Sequence, residues 1–431
     1  MFCQLELLRR CFPPSVRRIL EELPDSLDET YERILREIGK PNQGHAHRLL
    51  QCLVVAIRPL EVKELAEVLA FDFNTGEIPK LNSGWRWEDQ EEAVTSACSS
   101  LVTIVKDGDS RVVQFSHFSV KEFLTSDRLV EPIRDVSRYH IRLEAAHTIL
   151  AEACLGVLLR MDDRIDRNSI QNFPLAQSAA QYWPTHARVE NVSSHIKDGM
   201  ERLFDAEKPH FATWIWIYDE WGFFMFTMRP EEPKTVPLYY AAKLGFCDLA
   251  NFLIVEHPEH VNARGGEYDT PMHVAVNAKH ANILSLLIEH GADIEGQCNI
   301  MANGTPLHHA AWFGRFEAGQ CLLDHGANIS ARDNDRDTPL IYAAFQGHVE
   351  FARMLLEHGA VIDAQNVRGE TALHHAVKNI YTSAVQLLLE HGADVNVCDQ
   401  NGDTPSNLAS SCGNQEIVEL MSAYGAESIK K

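Results

Sequence analysis

The sequence lacks the apolar runs that secretion or membrane insertion would need. The first residues, MFCQLELLRRCFPP, contain no apolar stretch long enough for a signal peptide. The most apolar segment, residues 211–228, is interrupted by Asp219, Glu220 and Gly222, so it is too short and too broken to span a bilayer. The sequence therefore predicts a cytoplasmic protein without a membrane partner, with the nucleus as the open alternative for its location.

Motifs of the common catalytic and metal sites are also missing. The ten cysteines are scattered without a Cys-x-x-Cys pair, which predicts reduced thiols. There is no His-Glu-x-x-His or Gly-x-Ser-x-Gly motif, and no cysteine or carboxylate is spaced to complete a site with His45 and His47. We therefore expect no enzyme activity, catalytic residue, cofactor, metal or small-molecule substrate. A Ser–His pair formed only in space keeps a hydrolase as an alternative.

Positive charge is scarce. The chain has 39 Lys and Arg against 61 Asp and Glu, which gives a formal net charge of −22. Nucleic acids and anionic lipids both call for a basic face, so this balance predicts that the chain does not bind nucleic acid. With 431 residues, of which 45% are apolar, the chain is long enough for two to four globular domains.

What the C-terminal half does contain is a repeat. Its units align on threonines that are spaced 35, 33, 33 and 33 residues apart: Thr270, Thr305, Thr338, Thr371 and Thr404. Each unit reads as a turn, a short helix, a tight turn and a longer helix. A Thr N-cap precedes the first helix, and Pro follows the Thr in most units. Glycines end the helices, and stacking of neighbouring units would bury an apolar face that no single unit can bury.

The period and the motifs T-P-L-H and G-A-D-x-N resemble the ankyrin repeat. The resemblance covers residues 233–431 in six units, of which the first and the last are caps. Val236 stands in the usual Thr position of the first unit, and Ser406 and Asn407 replace Leu-His in the last. Arg336, Lys279 and Ile380 stand where the pattern has turn or helix-ending glycines, which predicts looser turns there.

The repeat also explains the histidines, including the adjacent pair His374 and His375. In ankyrin proteins the T-P-L-H histidine bonds within its turn and ties neighbouring units together, and His273, His308 and His374 occupy this place. Because they recur at the repeat period, we expect them to be structural, whereas a catalytic group would be needed only once.

In a solenoid, the binding residues are expected on the concave face and at the hairpin tips. The predicted partner is another protein. The predicted partner-binding residues at the ends of the first helices are Trp312, Phe313, Phe345, Gln346, Lys378 and Asn379. Those at the tips are Asn334, Asp335, Arg336, Val367, Arg368, Gln400 and Asn401. Trp312, Phe313 and Phe345 should form one aromatic patch. The alternative is that Phe313 and Phe345 only pack between neighbouring helices.

The N-terminal half predicts a winged-helix-like domain over residues 41–130. Two helices around Pro59 are followed by two alternating strands joined by Asp107-Gly108, which is a strong hairpin signal. The second helix carries Glu61, Glu64 and Glu67, which would repel DNA phosphates. The predicted fold class is thus mostly α, with a winged-helix-like and helical region before the repeats.

A more particular resemblance runs from Met1 to about Trp221. The segments CQLELLRRC, LPDSLDETYERILREI, RPLEVKELAEVLA, QFSHFSVKEFL and AAQYWPTHA resemble the region after the nucleotide-binding domain of fungal NACHT-type signalling ATPases. By this resemblance residues 1–40 are the helical end of the ATPase module, 41–130 the winged-helix-like domain and 131–232 a helical linker domain.

The ATPase itself is not in the sequence, because no phosphate-binding Gly-x-x-x-x-Gly-Lys-Ser/Thr loop is present. Two functions follow as hypotheses. The first is a non-enzymatic interaction scaffold that binds a partner through the ankyrin face. The second is the regulatory half of a NACHT-type ATPase in self/non-self recognition or related signalling, as a truncated product of a longer gene.

Overall fold

The computed structural model describes residues 26–74, 78–130, 136–218 and 235–428. The chain divides into two compact units, Met1–Pro233 and Lys234–Lys431. Helices dominate both units, which confirms the predicted fold class. The finer division of the first unit at residues 40 and 130 stays a prediction. Within the described residues, no helix combines the length and the apolar character that crossing a bilayer requires.

The first unit is built from short helices and two small sheets. Its described α-helices are Leu27–Glu37, Gln43–Val55, Val62–Val68, Gln90–Cys98, Phe118–Thr125, Leu143–Leu158, Ala176–Ala187, Val192–His195, Lys197–Leu203 and Pro209–Tyr218. Ser26 caps the first of them by accepting a hydrogen bond from the Glu29 amide at 3.2 Å, as its position before an amphipathic run predicts. The rest of the predicted helical segment 1–40 before Ser26 lies outside the described residues.

The wing follows the predicted hairpin. Strands β4 (Val102–Asp107) and β5 (Ser110–Phe115) pair antiparallel with Asp107 opposite Ser110, and Gly108 has the positive φ of 58° that a tight turn requires. Strand β1 (Leu60–Glu61) pairs with the other side of β5, so the sheet order is β1-β5-β4. A second pair joins β2 (Phe71–Asp72) and β3 (Lys80–Leu81).

The helical part of the first unit closes on an aromatic core. Trp183 and Trp214 are fully buried, with ring centroids 5.7 Å apart, and Phe204 lies 5.1 Å from Trp214. The Trp214 indole donates a hydrogen bond to the Ala180 carbonyl at 3.1 Å, which satisfies its polar atom inside the core. The apolar segment at residues 211–228 is therefore a core helix as far as Tyr218, and its remainder lies outside the described residues.

The second unit consists of six helix pairs within its described residues. They are Pro237–Leu244 with Cys247–Glu256, Pro271–Ala278 with Ala281–Glu289, Pro306–Phe313 with Phe316–Asp324, Pro339–Gln346 with Val349–Glu357, Ala372–Lys378 with Thr382–Glu390, and Pro405–Cys412 with Gln415–Ser428. Threonine caps the first helix in five of these pairs, and Val236 replaces it in the first pair without a side-chain cap. Leu355 and Leu388, one repeat apart, are fully buried between neighbouring pairs.

The T-P-L-H histidines tie successive pairs together. The Nδ1 atom of His374 accepts from the Thr371 amide at 3.1 Å, which leaves Nε2–H to donate to the Asp403 carbonyl of the next unit at 3.2 Å. His308 makes the same two bonds, with Thr305 at 3.1 Å and with the Asp337 carbonyl at 3.0 Å. These contacts have the geometry expected of a structural role.

The non-glycine turn residues keep the same backbone geometry as the glycines that they replace. Arg336 has a φ of 59°, and its amide reaches the Asp333 carbonyl at 3.0 Å, the same distance as Gly369 to Asn366. Ile380 and Lys279 also adopt positive φ, at 59° and 66°. The expectation of looser turns is therefore wrong, because stacking holds a left-handed residue in place at a cost in backbone strain.

Candidate protein-binding site

The predicted site residues recur at two positions near the ends of the first helices and at the hairpin tips of the repeat unit. Trp312, Phe345 and Lys378 occupy one position near the ends of successive first helices, and Phe313, Gln346 and Asn379 occupy the next position. Trp312, Phe313 and Gln346 are partly buried. The exposed members are Phe345, Lys378, Asn379, Asn334, Asp335, Arg336, Val367, Arg368, Gln400 and Asn401.

Trp312 and Phe345 form the centre of an aromatic row. Their rings stack at a centroid distance of 5.5 Å and an interplanar angle of 17°. Tyr342 meets Trp312 edge-on at 5.5 Å, and His375 meets Phe345 at 5.6 Å. Phe345 nevertheless keeps 38% of its surface exposed, so the stack presents aromatic area to solvent.

Phe313 does not belong to this row. Its ring lies 6.2 Å from His309 and 6.4 Å from Tyr268, and the Arg315 guanidinium sits 5.5 Å from its centroid. Successive residues on a helix point about 100° apart, so Phe313 turns away from the partners of Trp312. The expectation of one patch built from all three aromatics is therefore wrong for Phe313, which packs toward the preceding unit.

A pocket of about 140 Å³ opens beside the stack. It brings four of the predicted residues together: Trp312, Phe345, Asp335 and Arg368. The remaining lining residues, which sequence reasoning missed, are Asp337, Ile341, Tyr342, Asn366 and His375. Their signal was present, because the residue that follows the T-P-L motif and the acidic or amide residue of each turn recur at the repeat period.

Carboxylates give the pocket its electrostatic character. Burial, together with the nearby charges of Asp333, Asp335 and Glu370, raises the pKa of Asp337 to about 6, and a hydrogen bond from Asn366 opposes this shift. Asn366 Nδ2 donates to Asp337 Oδ1 at 2.8 Å. Besides Arg368, a further cation bound in the pocket would relieve the repulsion among these acids. The pocket thus combines aromatic faces with an excess of negative charge.

Lys378 and Asn379 are engaged within the repeat. The Lys378 ammonium bonds the buried Glu370 carboxylate and lies 3.9 Å from Asp399. Asn379 Nδ2 donates to the His375 carbonyl at 3.0 Å. These two side chains therefore stabilise the fifth unit, although both keep exposed surface.

The hairpin tips are joined by a backbone ladder. The amides of Asn334, Val367 and Gln400 donate to the carbonyls of Ala302, Asp335 and Arg368, each at 2.8 Å. Every bond links a tip to the tip of the preceding unit, so exposed tip side chains are presented on a fixed backbone.

In the first unit, two acids that should repel DNA are in fact buried. Glu64 pairs with Arg58 at 2.5 Å, and Glu67 pairs with Arg86 and accepts from the Leu175 amide at 2.7 Å. Both side chains are about 3% exposed, so neither can face a phosphate and that part of the argument is wrong. The helix directly before the wing is Gln90–Cys98, not Val62–Val68.

The surface beside the wing is acidic all the same. A groove of about 580 Å³ is lined by five carboxylates against two cations: Glu61, Glu88, Asp89, Glu91 and Asp109, with Lys63 and Arg111. Such a balance opposes a phosphate backbone, so the charge argument holds for Glu61 and for four further acids that the sequence analysis did not name.

The Ser–His contact between Ser119 and His117 is a helix cap. His117 Nδ1 lies 2.6 Å from Ser119 Oγ, and the same ring nitrogen accepts from the Ser119 amide at 3.3 Å. Tyr31 Oη shares the hydroxyl at 2.8 Å. This arrangement begins the helix Phe118–Thr125, and no carboxylate of the described residues bonds the His117 ring as in a hydrolase triad.

Comparison with known families supports both halves of this architecture. Residues 238–333, 295–366 and 340–431 match the family described as Ankyrin repeats (3 copies). Residues 31–133 match the family described as GPI inositol-deacylase, winged helix domain.

Among individual proteins, the chain is similar to the Azaphilone pigments biosynthesis cluster protein L of Monascus ruber. The two are 33% identical over 299 residues, which cover 64% of this chain and 61% of that protein. The chain is also 34% identical over 109 residues to Ankyrin repeat and SAM domain-containing protein 6 of Mus musculus, over 25% of this chain and 12% of that one. The chain thus spans about three fifths of the first relative and about an eighth of the second.

One solved structure is similar to part of the chain. The crystal structure of an ankyrin repeat domain from Acinetobacter baumannii AYE is 32% identical, with a TM-score of 0.40, and covers 44% of this chain and 97% of its own. By the two family matches and the six helix pairs, residues 238–431 are ankyrin repeats and residues 31–133 form a winged helix domain of the GPI inositol-deacylase type.

Proposed function

We propose that the chain is a non-enzymatic interaction scaffold that binds another protein through its ankyrin face. Ankyrin repeats generally serve protein binding, and the stacked, partly exposed Trp312–Phe345 pair is the observation that carries the proposal for this chain. Exposed aromatic side chains beside a pocket are typical hot spots of protein interfaces.

The occupant of the pocket is a basic side chain of the partner. Aromatic faces from Trp312 and Phe345 attract a cation, and the carboxylates of Asp335 and Asp337 give it counter-charges. Small-molecule pockets usually hold about 300–1,000 Å³. The 140 Å³ found here suits one side chain, an arginine or a lysine, anchored within a wider contact.

The test is selection of peptides from a displayed library on the full chain, followed by affinity measurement. We expect peptides with a central Arg or Lys, and loss of binding in the double variant Trp312→Ala, Phe345→Ala. Phe313→Ala is the matched control, because it removes an aromatic ring from the same helix but on the other side. Asp335→Asn should weaken basic peptides selectively, with circular dichroism unchanged in every variant.

Two results would contradict the proposal. One is equal binding of the selected peptides by the double variant. The other is a selected set without basic residues, whose affinity drops more in Phe313→Ala than in the double variant.

A second candidate is the regulatory half of a fungal NACHT-type signalling ATPase, acting in the cytoplasm in self/non-self recognition or a related pathway. The observation that favours it is the order of domains, with a winged helix domain before the ankyrin repeats. Sequencing the native transcript upstream of Met1 tests it. A reading frame that continues into a phosphate-binding loop supports this candidate, and a transcript that starts just before Met1 contradicts it.

A further inference from the structure

The junction between the second and third repeats departs from the others in its turn. In three later turns, a backbone bond joins residues four apart: Asp333 to Asp337, Asn366 to Glu370 and Asp399 to Asp403. In the turn between the second and third repeats, residues 298–304, the Cys298 amide instead donates to the Gly304 carbonyl, six residues on, at 3.2 Å. We call it the irregular turn. The two additional residues are the source of the 35-residue spacing between Thr270 and Thr305.

This insertion changes the link that the T-P-L-H histidine makes. In two regular junctions the histidine Nε2 bonds the carbonyl that closes the next turn, Asp337 or Asp403. At the irregular junction that carbonyl belongs to Gly304. The Gly304 carbonyl lies close enough to raise the pKa of His273, but its geometry does not give a hydrogen bond. His273 Nε2 therefore has no hydrogen-bond partner among the described residues. His273 is 1% exposed, so water does not replace the missing bond at the surface.

The same turn also exchanges the chemistry of a side-chain pair. Cys298 stands where regular turns carry Asp333 or Asn366, and His309 stands where regular units carry Tyr342 or His375. The regular pairs are Tyr342 Oη to Asp333 at 2.7 Å and Asn366 Nδ2 to His375 Nε2 at 3.5 Å. The irregular pair is Cys298 Sγ to His309 Nε2 at 2.9 Å.

Three potential metal ligands therefore meet at one buried point. One ligand atom each from His273, Cys298 and His309 lies within 4.8 Å of the other two, and Cys298 and His309 are fully buried. A zinc ion bound by two imidazoles and a thiolate would hold these atoms about 3.4–3.6 Å apart, at bond lengths of about 2.0–2.3 Å. Shifts of about 1 Å in the side chains would reach that geometry.

The surroundings of His273 also suit a metal ligand. Thr270 Oγ1 lies 2.8 Å from His273 Nδ1 and can accept the proton of the tautomer that leaves Nε2 free. The thiolate is the form of cysteine that binds zinc, so metal binding would release the proton of the Cys298 thiol.

We propose that His273, Cys298 and His309 bind one Zn²⁺ ion at the junction of the second and third repeats, where it replaces the hydrogen bond that the insertion removes. The site is independent of the proposed protein-binding face. It adds a structural metal to a repeat in which two regular junctions carry a histidine–carbonyl hydrogen bond instead.

The experiment measures zinc on the purified full chain after dialysis against a weak chelator, by elemental analysis and by competition with a chromogenic chelator. We expect one equivalent per chain. In cobalt-exchanged protein we expect a thiolate-to-metal charge-transfer band in the near ultraviolet. Cys298→Ser should lower the affinity more than about 100-fold, because loss of a second-shell partner alone costs about 10- to 100-fold.

Two variants control for folding. Cys298→Asp combined with His309→Tyr installs the regular Asp333–Tyr342 pair, so it should fold and bind no zinc. Cys321→Ser removes a different thiol, near His325, in the same repeat and should keep the full equivalent. Zinc should raise the melting temperature of the wild type and of Cys321→Ser, and leave that of the double variant unchanged.

The proposal is overturned if the wild type holds no stoichiometric zinc and cobalt gives no charge-transfer band. It is also overturned if zinc survives in the double variant, since the ion would then sit elsewhere, for example at His257, Glu259 and His260. If the wild type holds no zinc, the cluster is only a thiol–imidazole hydrogen bond within the turn.

Discussion

The two units bury ionisable side chains in different ways. In the repeat unit, His308 and His374 bond a threonine three residues before and a carbonyl 29 residues after, and the pattern recurs. In the first unit, Glu64 and Glu67 reach partners more than 100 residues away, at Ser178 and Leu175. Periodic contacts can be read from spacing, whereas the long-range ones depend on the whole tertiary fold.

The comparison predicts that acid destabilises the repeat unit more than the first unit. Burial lowers the pKa of His273 and His375 to about 4 and of His309 to about 3, against one such described histidine, His186, in the first unit. The unfolded chain takes up protons below pH 6.5 and these folded sites do not. The free energy of unfolding of the repeat unit therefore decreases as the pH falls from about 6.5 toward about 4. At pH 5 the decrease is at most roughly 2 kcal/mol for each of these histidines.

Asp337, whose pKa burial raises to about 6, acts in the opposite direction and offsets part of this loss. Hydrogen exchange with mass spectrometry on the full chain, in excess chelator so that no metal holds His273 and His309, measures both units at once. Protection should fall first in residues 235–428 between pH 7 and pH 5. An equal loss of protection in both units would contradict this prediction.

The next largest effect is expected for Glu67→Ala in the first unit. The change leaves Arg86 and the Leu175 amide without their buried acceptor, and breaking a buried pair costs about 3–5 kcal/mol. We expect about 3 kcal/mol, because the Arg86 side chain is 34% exposed. Glu91→Ala is the control, since its pair with Arg111 is exposed and should contribute less than about 1 kcal/mol. Calorimetry of the full chain would separate the two, and equal costs would contradict the long-range role of Glu67.

Within the repeats, His374→Ala should destabilise more than His273→Ala. The first change leaves a buried amide and the Asp403 carbonyl unpaired, at about 2–3 kcal/mol. His273 lacks the inter-repeat bond, so its replacement should cost about 1 kcal/mol less. Thermal melting in excess chelator, followed by helical circular dichroism, measures the difference without a metal contribution. A larger loss for His273→Ala in chelator would refute this ranking.

The smallest effect concerns strained turns. Ile380 holds a φ of 59° where the next unit has Gly413 at 72°. A left-handed conformation costs a non-glycine residue about 1–2 kcal/mol, so Ile380→Gly should stabilise the repeats by about 1 kcal/mol. Gly413→Ala, which meets no atom within 4 Å, should destabilise by a similar amount. Urea unfolding measures both, and destabilisation by Ile380→Gly would show that its side-chain packing outweighs the strain.

Much of the fold could be predicted because its signals are local. The 33-residue period, the threonine caps and the helix-ending glycines placed the repeat helices, and Asp107-Gly108 placed the wing. The helix Gln90–Cys98 was missed because its sequence, QEEAVTSAC, carries no strong apolar period. The burial of Glu64 and Glu67 could not be predicted, because their acid-rich helix looks like a solvated face until distant partners are known.

The candidate pocket shows the same division. Equivalent positions in consecutive units predicted that Trp312 and Phe345 meet. The separate orientation of Phe313 could not be predicted in this way, because it depends on the rotation of the helix and on the contact of Phe313 with Tyr268. The pairing of Cys298 with His309 was hidden by the two-residue insertion, which shifts the thiol out of register with its counterparts.

The ladder of tip amides has a consequence for how such a gene changes length. Because each rung has the same 2.8 Å geometry and joins only adjacent units, a unit such as residues 338–370 could be duplicated or deleted with both new junctions intact. The units on either side of the turn at residues 298–304 cannot be exchanged in this way, because they pack at a spacing of 35 residues instead of 33. Length variation among descendants of this chain should therefore concentrate after Thr338, and leave the second and third repeats together as an inherited pair.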